Sequence, residues 1–290
     1  MEGKQNPASY RRVVARKAAS TRDLLAVLEE TFASPGYLPP LLPSAAFELL
    51  EMSRRPEVAL PEVVALVERD PLIAGRVLQV AQSARYSTAH GMPSLQHAVV
   101  RLGLDTMTNI FLEVAMNMRV FRAPGYDEPM KRLRLHSVAT ANVARIVCRH
   151  TSIFDDYAFL CGLLHDVGIA ASLIVLADIR SGEGGNFAVE WPVIRALHGQ
   201  ASRVVCEAWK LPPDLALAVE HHHDYTIGSH VHPVAAAVAV AEAIATKLGF
   251  GFESEASAQP PSDAMKAIGL SDTALLAVLV EAKAKLADLR

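Results

Sequence analysis

The run Leu160–Ile169, LCGLLHDVGI, places His165 and Asp166 side by side in an otherwise apolar segment. Burying an imidazole and a carboxylate without partners is costly, and the partners that suit them are a metal ion or other polar groups. Neighbouring residues on a helix point about 100° apart, so one ion can meet both only in a cavity on the boundary between their directions. Taken alone, the pair reads more simply as a helix end, with Asp166 at solvent and His165 filling core space.

The other histidines change that reading. The chain has 11, six of them between 198 and 232. His136 falls one helical segment before the pair and His198 one after it. His221, His222 and His223 end a later segment, and Glu242 lies on the next. Each has an ordinary explanation by itself: a hydrogen-bonded core histidine, a favourable charge at a helix C-terminus, a solvated helix end. Imidazoles and carboxylates on facing helices are also how bundles build metal sites. Such a donor set suits Fe, Mn, Zn or Ni better than Ca or Mg. A divalent metal is therefore the expected cofactor, and no nucleotide cofactor is expected.

The elements that must position these residues read as helices. Of 290 residues, 51% are hydrophobic and only 6% aromatic, with Ala, Val and Leu dominant, which favours packed helices over a sheet sandwich. The formal net charge of -3 argues against extended nucleic-acid binding. Cys148, Cys161 and Cys206 are widely spaced in apolar helical patterns and read as reduced core thiols. No signal-peptide core appears, and no apolar run of about 18 residues is evident. The expectation is a cytoplasmic protein with no membrane contact.

Breaks at Ser34–Pro40 and Ala123–Tyr126 suggest the organisation. Residues 1–20 read as a basic tail or short helix, 21–125 as an N-terminal helical half, 126–250 as a second half carrying the His/Asp cluster, and 251–290 as a linker and amphipathic C-terminal helix. The spacing predicts helices over Met130–His150, from Asp155 into Leu164, Val167–Ile179, Trp191–His198, Ser202–Lys210, Asp214–His222, Pro233 to about Leu248, and Thr273–Leu289. No strand hairpin is expected.

Two separate stretches give the chain a family resemblance. The first comprises Leu60-Pro-Glu-Val-Val-Ala-Leu-Val67, Arg69-Asp-Pro-Leu72, Arg76–Ser83 and Pro93–Ala98 followed by Arg101-Leu-Gly103. The second comprises Leu163-Leu-His-Asp-Val-Gly168, Trp209-Lys-Leu-Pro-Pro213 and His222-His223. Together they resemble the HDOD domain of the HD superfamily, with Gln82-Ser83 where that family commonly has Asn-Ser.

The resemblance implies an all-α fold: an HD-domain-like multi-helix bundle with an N-terminal helical half. It implies His136, His165, Asp166 and Glu242 as ligands of one metal, with Glu242 where the family has Asp. Against the related HD-GYP phosphodiesterases, His198, His222 and His223 match additional ligands, and His221 takes the variable position before the pair. Three departures stand out. Ile169 replaces a phosphate-handling Lys, Arg132 stands where some HD-GYP proteins have an acid, and His223–Gly228 lacks the Gly-Tyr-Pro segment. The implied function is a bacterial signal-transduction module with a retained metal pocket, acting mainly through signalling-protein partners. The alternative is a metal-dependent phosphohydrolase acting on a nucleotide or cyclic di-nucleotide, in which His165 and Asp166 would carry the chemistry and a phosphorylated nucleotide would be the ligand.

Overall fold

The computed structural model describes residues 21–39, 44–53, 55, 57–69, 71–81, 95–117, 122–153, 155–252 and 259–289. The basic segment 1–20, Gln82-Ser83 and Pro93-Ser94 lie outside them. The described residues form helices α1 (Thr21–Ala33), α2 (Ser44–Ser53), α3 (Leu60–Glu68), α4 (Pro71–Ala81), α5 (Leu95–Asn117), α6 (Asp127–Arg149), α7 (Asp155–Leu164), α8 (Val167–Ile179), α9 (Phe187–Ala208), α10 (Pro213–Glu220), α11 (Pro233–Ala245), α12 (Ser262–Ala267) and α13 (Asp272–Leu286). The protein is all-α but for one small element. Strands β1 (Thr226–Ile227) and β2 (His230–Val231) pair antiparallel, with Thr226 opposite Val231. This hairpin corrects the expectation of none. Gly228 has φ 64°, which gives the tight turn its left-handed residue.

The residues group into two compact units, one within 41–120 and one from the remainder. In the smaller unit α2, α3 and α4 pack on α5 around Leu49, Leu66, Val67, Ile73, Val77, Met107 and Phe111. In the larger unit α1 packs on α9, and α6 packs against α7, α11 and α13.

Helix α6 buries Leu133, His136, Thr140, Val143 and Val147, a stripe at three- and four-residue steps. Helix α8 is buried on every side through Val167–Leu173, which explains why its sequence shows no polar face. By length and mean hydropathy (2.1 over its most apolar window), Ala158–Ile179 is apolar enough to cross a membrane, as is Pro233–Phe250. This qualifies the expectation that no such run exists. Both belong to the core: 83% and 61% of the two windows are buried inside the unit.

Two predicted segments, Trp191–His198 and Ser202–Lys210, are one helix, α9, with Pro192 inside it. Ala188, whose carbonyl the proline leaves without an intrahelical donor, is exposed, as is Pro192, so water can satisfy that group. After α11 the chain makes a π turn, Thr246–Phe250, with Gly249 at φ 89°. That turn swings Phe250 and Phe252 back over α6 and α9, where Phe252 packs against Phe187 and Trp191.

Candidate metal centre

Helices α6, α9 and α11 and the turns after α7 and α10 converge on one point. His165 and Asp166 form the two-residue turn between α7 and α8, the cavity-edge position their adjacency requires. His136 lies mid-helix on α6, His198 mid-helix on α9, His222 and His223 just past α10, and Glu242 in the last turns of α11.

Close backbone contact makes this convergence possible. A Cβ on Gly168 would lie 2.2 Å from the His198 carbonyl oxygen and 2.5 Å from the Ser202 nitrogen. A Cβ on Gly199 would lie 2.6 Å from the Glu220 carbonyl oxygen. Only glycine lets α8 and the end of α10 come this near α9. Ser202 fastens the junction. Its hydroxyl accepts from the Gly168 N–H at 2.8 Å and donates to the His165 carbonyl at 2.8 Å.

Each of four imidazoles donates from Nδ1 to a backbone carbonyl: His136 to Phe250 (2.8 Å), His165 to Gly162 (2.9 Å), His198 to Arg195 (2.6 Å) and His222 to Val219 (2.7 Å). A carbonyl only accepts, so Nδ1 carries the hydrogen and Nε2 of the neutral ring presents a lone pair. Those lone pairs face one another, and Nε2 of a fifth ring, His223, meets that of His198. The Nε2 atoms of His136 and His165 are 3.1 Å apart, those of His198 and His222 3.3 Å, and those of His198 and His223 3.1 Å.

Asp166 lies between the two groups. Its Oδ2 is 3.4 Å from His136 Nε2 and 3.3 Å from His165 Nε2. Its Oδ1 is 3.5 Å from His198 Nε2 and 3.6 Å from His222 Nε2, and this buried oxygen accepts no hydrogen bond. Glu242 closes the ring, with Oε1 3.8 Å from His136 Nε2 and Oε2 3.7 Å from His223 Nδ1.

Converging lone pairs repel unless a cation stands among them. Adjacent ligands bound to one ion at about 2.1 Å lie roughly 3.0–3.4 Å apart in octahedral or tetrahedral arrangements. The observed separations fall at or just beyond that range. The donor set therefore fits a divalent metal: His136, His165 and Asp166 lie within reach of one ion, as do His198, His222 and His223, and as do His165, His222 and Glu242. The carbonyl partners of the rings are the outer hydrogen bonds that metal-ligating imidazoles require.

Charge at the centre is coupled. Burial disfavours the protonated His165 ring, but the Asp166 carboxylate outweighs it and pushes the ring up to about 9. Burial would raise the Asp166 carboxyl, yet the His165 charge holds it well below the usual range, so a proton on His165 Nε2 competes with a metal for the same lone pair. Burial lowers His198, and burial together with the neighbouring imidazoles holds His222 well below the ordinary histidine value.

All seven sequence-derived candidates come together here. His221 does not: it turns away to Asp224, 2.9 Å from Nδ1 to Oδ1. Arg132 also points elsewhere, donating to the Phe252 carbonyl with its guanidinium 5.6 Å over the Phe252 ring. Beside the cluster opens a cavity of about 380 Å³, reached by Asp166, His198, His223 and Glu242 and walled by Ile169, Trp191, Arg195, Thr246 and Phe252, among others. The residues of this wall other than Ile169 carried no sequence signal as a group. Trp191 and Arg195 lie one turn apart in a predicted segment that reads as an ordinary short helix, and Phe252 falls in an apparent linker.

An all-helical unit in which separate helices surround a His-Asp turn with further histidines is an HD-type fold. The HDOD domain family model matches residues 39–225, and the chain belongs to that family. An uncharacterised protein of Treponema pallidum (strain Nichols) is 26% identical over 197 residues, covering 64% of this chain; the chain spans 37% of that relative's length. Three solved structures share the fold. A proposed metal-dependent phosphohydrolase from Shewanella amazonensis aligns with TM-score 0.70 and 23% identity over 91% of this chain and 98% of its own. An HDOD domain protein of unknown function from Geobacter sulfurreducens aligns with TM-score 0.66 and 23% identity over 93% and 99%. A proposed signal transduction protein from Marinobacter aquaeolei aligns with TM-score 0.63 and 21% identity over 93% and 64%.

Proposed function

We propose that this HDOD protein is a signalling module whose working part is a dinuclear metal pocket with phosphohydrolase chemistry. One observation carries the reading: the two oxygens of Asp166 each face a separate pair of imidazole lone pairs. His136, His165, Asp166 and Glu242 would hold one divalent ion, and Asp166, His198, His222 and His223 the second. Ions in such a pair supply an activated water and counter-charge for a phosphoryl group. The chain's own contribution is orientation: four backbone carbonyls fix which nitrogen each ring offers, and Ser202 ties the His165 turn to α9. The Shewanella protein's description points the same way.

A second reading has its own support. Ile169, an apolar side chain in the cavity wall, stands where HD-GYP phosphodiesterases place a Lys. A centre that holds metal without turnover would then act through signalling-protein partners, in keeping with the description of the Marinobacter protein. The three buried free thiols fit a cytoplasmic setting for either reading.

Elemental analysis of the purified protein, as isolated and after reconstitution with Mn or Fe, tests the centre: about two equivalents are expected. Release of phosphate from nucleotides, cyclic di-nucleotides and generic phosphodiesters then separates the readings. Metal without turnover sinks the hydrolase; no metal under any condition sinks the centre itself.

A further inference from the structure

The cavity beside the metal centre has a chemically ordered wall that the metal ligands do not account for. Trp191, Arg195 and His198 follow one another along α9 at four- and three-residue steps, so they share a face, and all three line the cavity. The order is aromatic ring, permanent cation, metal-side imidazole. Trp191 packs against Phe252, with ring centroids 4.9 Å apart, and Phe252 is itself a wall residue, so the aromatic end is a surface rather than a single ring. Among the described residues that line the cavity, Arg195 is the one Lys or Arg.

Resting on the metal-pocket reading, the geometry points to a ligand: a phosphate monoester carrying a planar aromatic group, of nucleoside-monophosphate size. Arg195 takes a phosphoryl oxygen, the role left open by Ile169, and Trp191 with Phe252 stacks the ring. Arg is suited to this because its planar fork binds phosphate through paired hydrogen bonds. Aromatic faces take bases by stacking, without demanding a particular one. Size supports a mononucleotide. Seven residues from Trp191 to His198 rise roughly 10 Å along the helix, about the length of a nucleoside monophosphate. A volume of about 380 Å³ is near the low end for ligand pockets and small for a cyclic di-nucleotide. The metal ligands His198 and His223 lie at the phosphate end of this wall.

The test is binding to the full chain, with metal content measured on the same sample. The chain has two tryptophans, so a Trp209→Phe background leaves Trp191 as the fluorescent reporter; isothermal titration of the otherwise native protein carries the comparison for the Trp191 variants, and for every arm if Trp209→Phe does not fold. Adenosine monophosphate should quench Trp191 and bind more tightly than ribose 5-phosphate. Arg195→Gln should weaken both by about tenfold or more. Trp191→Leu, or Trp191→Phe if the first is unfolded, should affect adenosine monophosphate selectively, with about a tenfold loss expected for Leu. Equal affinity for the two probes, indifference to both substitutions, or tighter binding of a cyclic di-guanylate overturns the proposal. Metal present with no binding of adenosine monophosphate also overturns it and leaves the metal reading intact. Arg195-dependent binding by a protein that takes up no metal supports it and removes the metal reading instead.

Discussion

Gly168→Ala is a sharp test because two arguments predict opposite signs. Gly168 lies in the first turn of α8 with helical backbone, so helix propensity alone says that alanine should stabilise by up to about 1 kcal/mol. The packing says the reverse. The new methyl would lie 2.2 Å from the His198 carbonyl oxygen, 2.5 Å from the Ser202 nitrogen and 2.8 Å from its hydroxyl. Two of these are backbone atoms of a helix interior, so no side chain can rotate to make room. The helices must part by on the order of 1 Å. Overpacking of that kind costs about 1–3 kcal/mol. The Gly168 N–H to Ser202 hydrogen bond, buried and 2.8 Å long, is stretched as well, for about 1 kcal/mol more. A net loss of roughly 1–4 kcal/mol is expected, a fall in Tm on the order of 2–16 °C for a domain of this size. Parting α8 from α9 also draws Asp166 away from His198, so the sample should hold less than the wild-type metal. Thermal melting by circular dichroism and elemental analysis read both. A Tm at or above wild type with full metal content would refute the close-approach argument.

Asp166→Asn removes the charge shared by both halves of the cluster while keeping the shape, so metal content should fall to background while the far-ultraviolet spectrum persists. Ser202→Ala leaves the buried Gly168 N–H and His165 carbonyl without this partner, and denaturant unfolding should report a loss of about 1–3 kcal/mol. At the far end of α6, a hydrogen bond from His150 and the charge of Arg149 hold the Glu281 carboxyl below its ordinary value. A depressed carboxyl contributes stability above its unfolded value and loses it as pH falls through the folded one. Amide protection in α13, taken relative to the intrinsic exchange rate at each pH, should therefore fall as pH drops below about 4.5, and Glu281→Gln should flatten that dependence. The pair is half exposed, so its worth is no more than about 1 kcal/mol.

Helix periodicity and turn residues were enough to place α6, α8 and α13 to within a few residues, because each has a clear stripe, cap or apolar run. The ordered set His136, His165-Asp166, His198, His222-His223 was visible because those residue types are uncommon on apolar helices. The division of labour was not. That Asp166 turns one oxygen to each imidazole group depends on the two-residue turn between α7 and α8, whose direction periodicity does not specify. The reading of two segments split the chain between His198 and Ser202, yet α9 runs through, since Pro192 faces water and Gly199 admits the Glu220 carbonyl. The aromatic wall was hidden for a related reason: Phe252 reaches Trp191 through a π turn that local sequence does not announce.

The carbonyl partners of the imidazoles differ in one respect that bears on how the protein is made. His165, His198 and His222 are each aimed by the carbonyl three residues earlier in their own chain segment. Those rings acquire their orientation as each local turn forms. His136 is aimed by Phe250, 114 positions downstream. On a ribosome the other rings would be set while that segment was still being synthesised, and the first histidine of the centre to emerge would be the last to be oriented. A nascent chain ending just before residue 250 would carry all seven ligands and hold metal weakly; the centre is completed by the segment that follows α11.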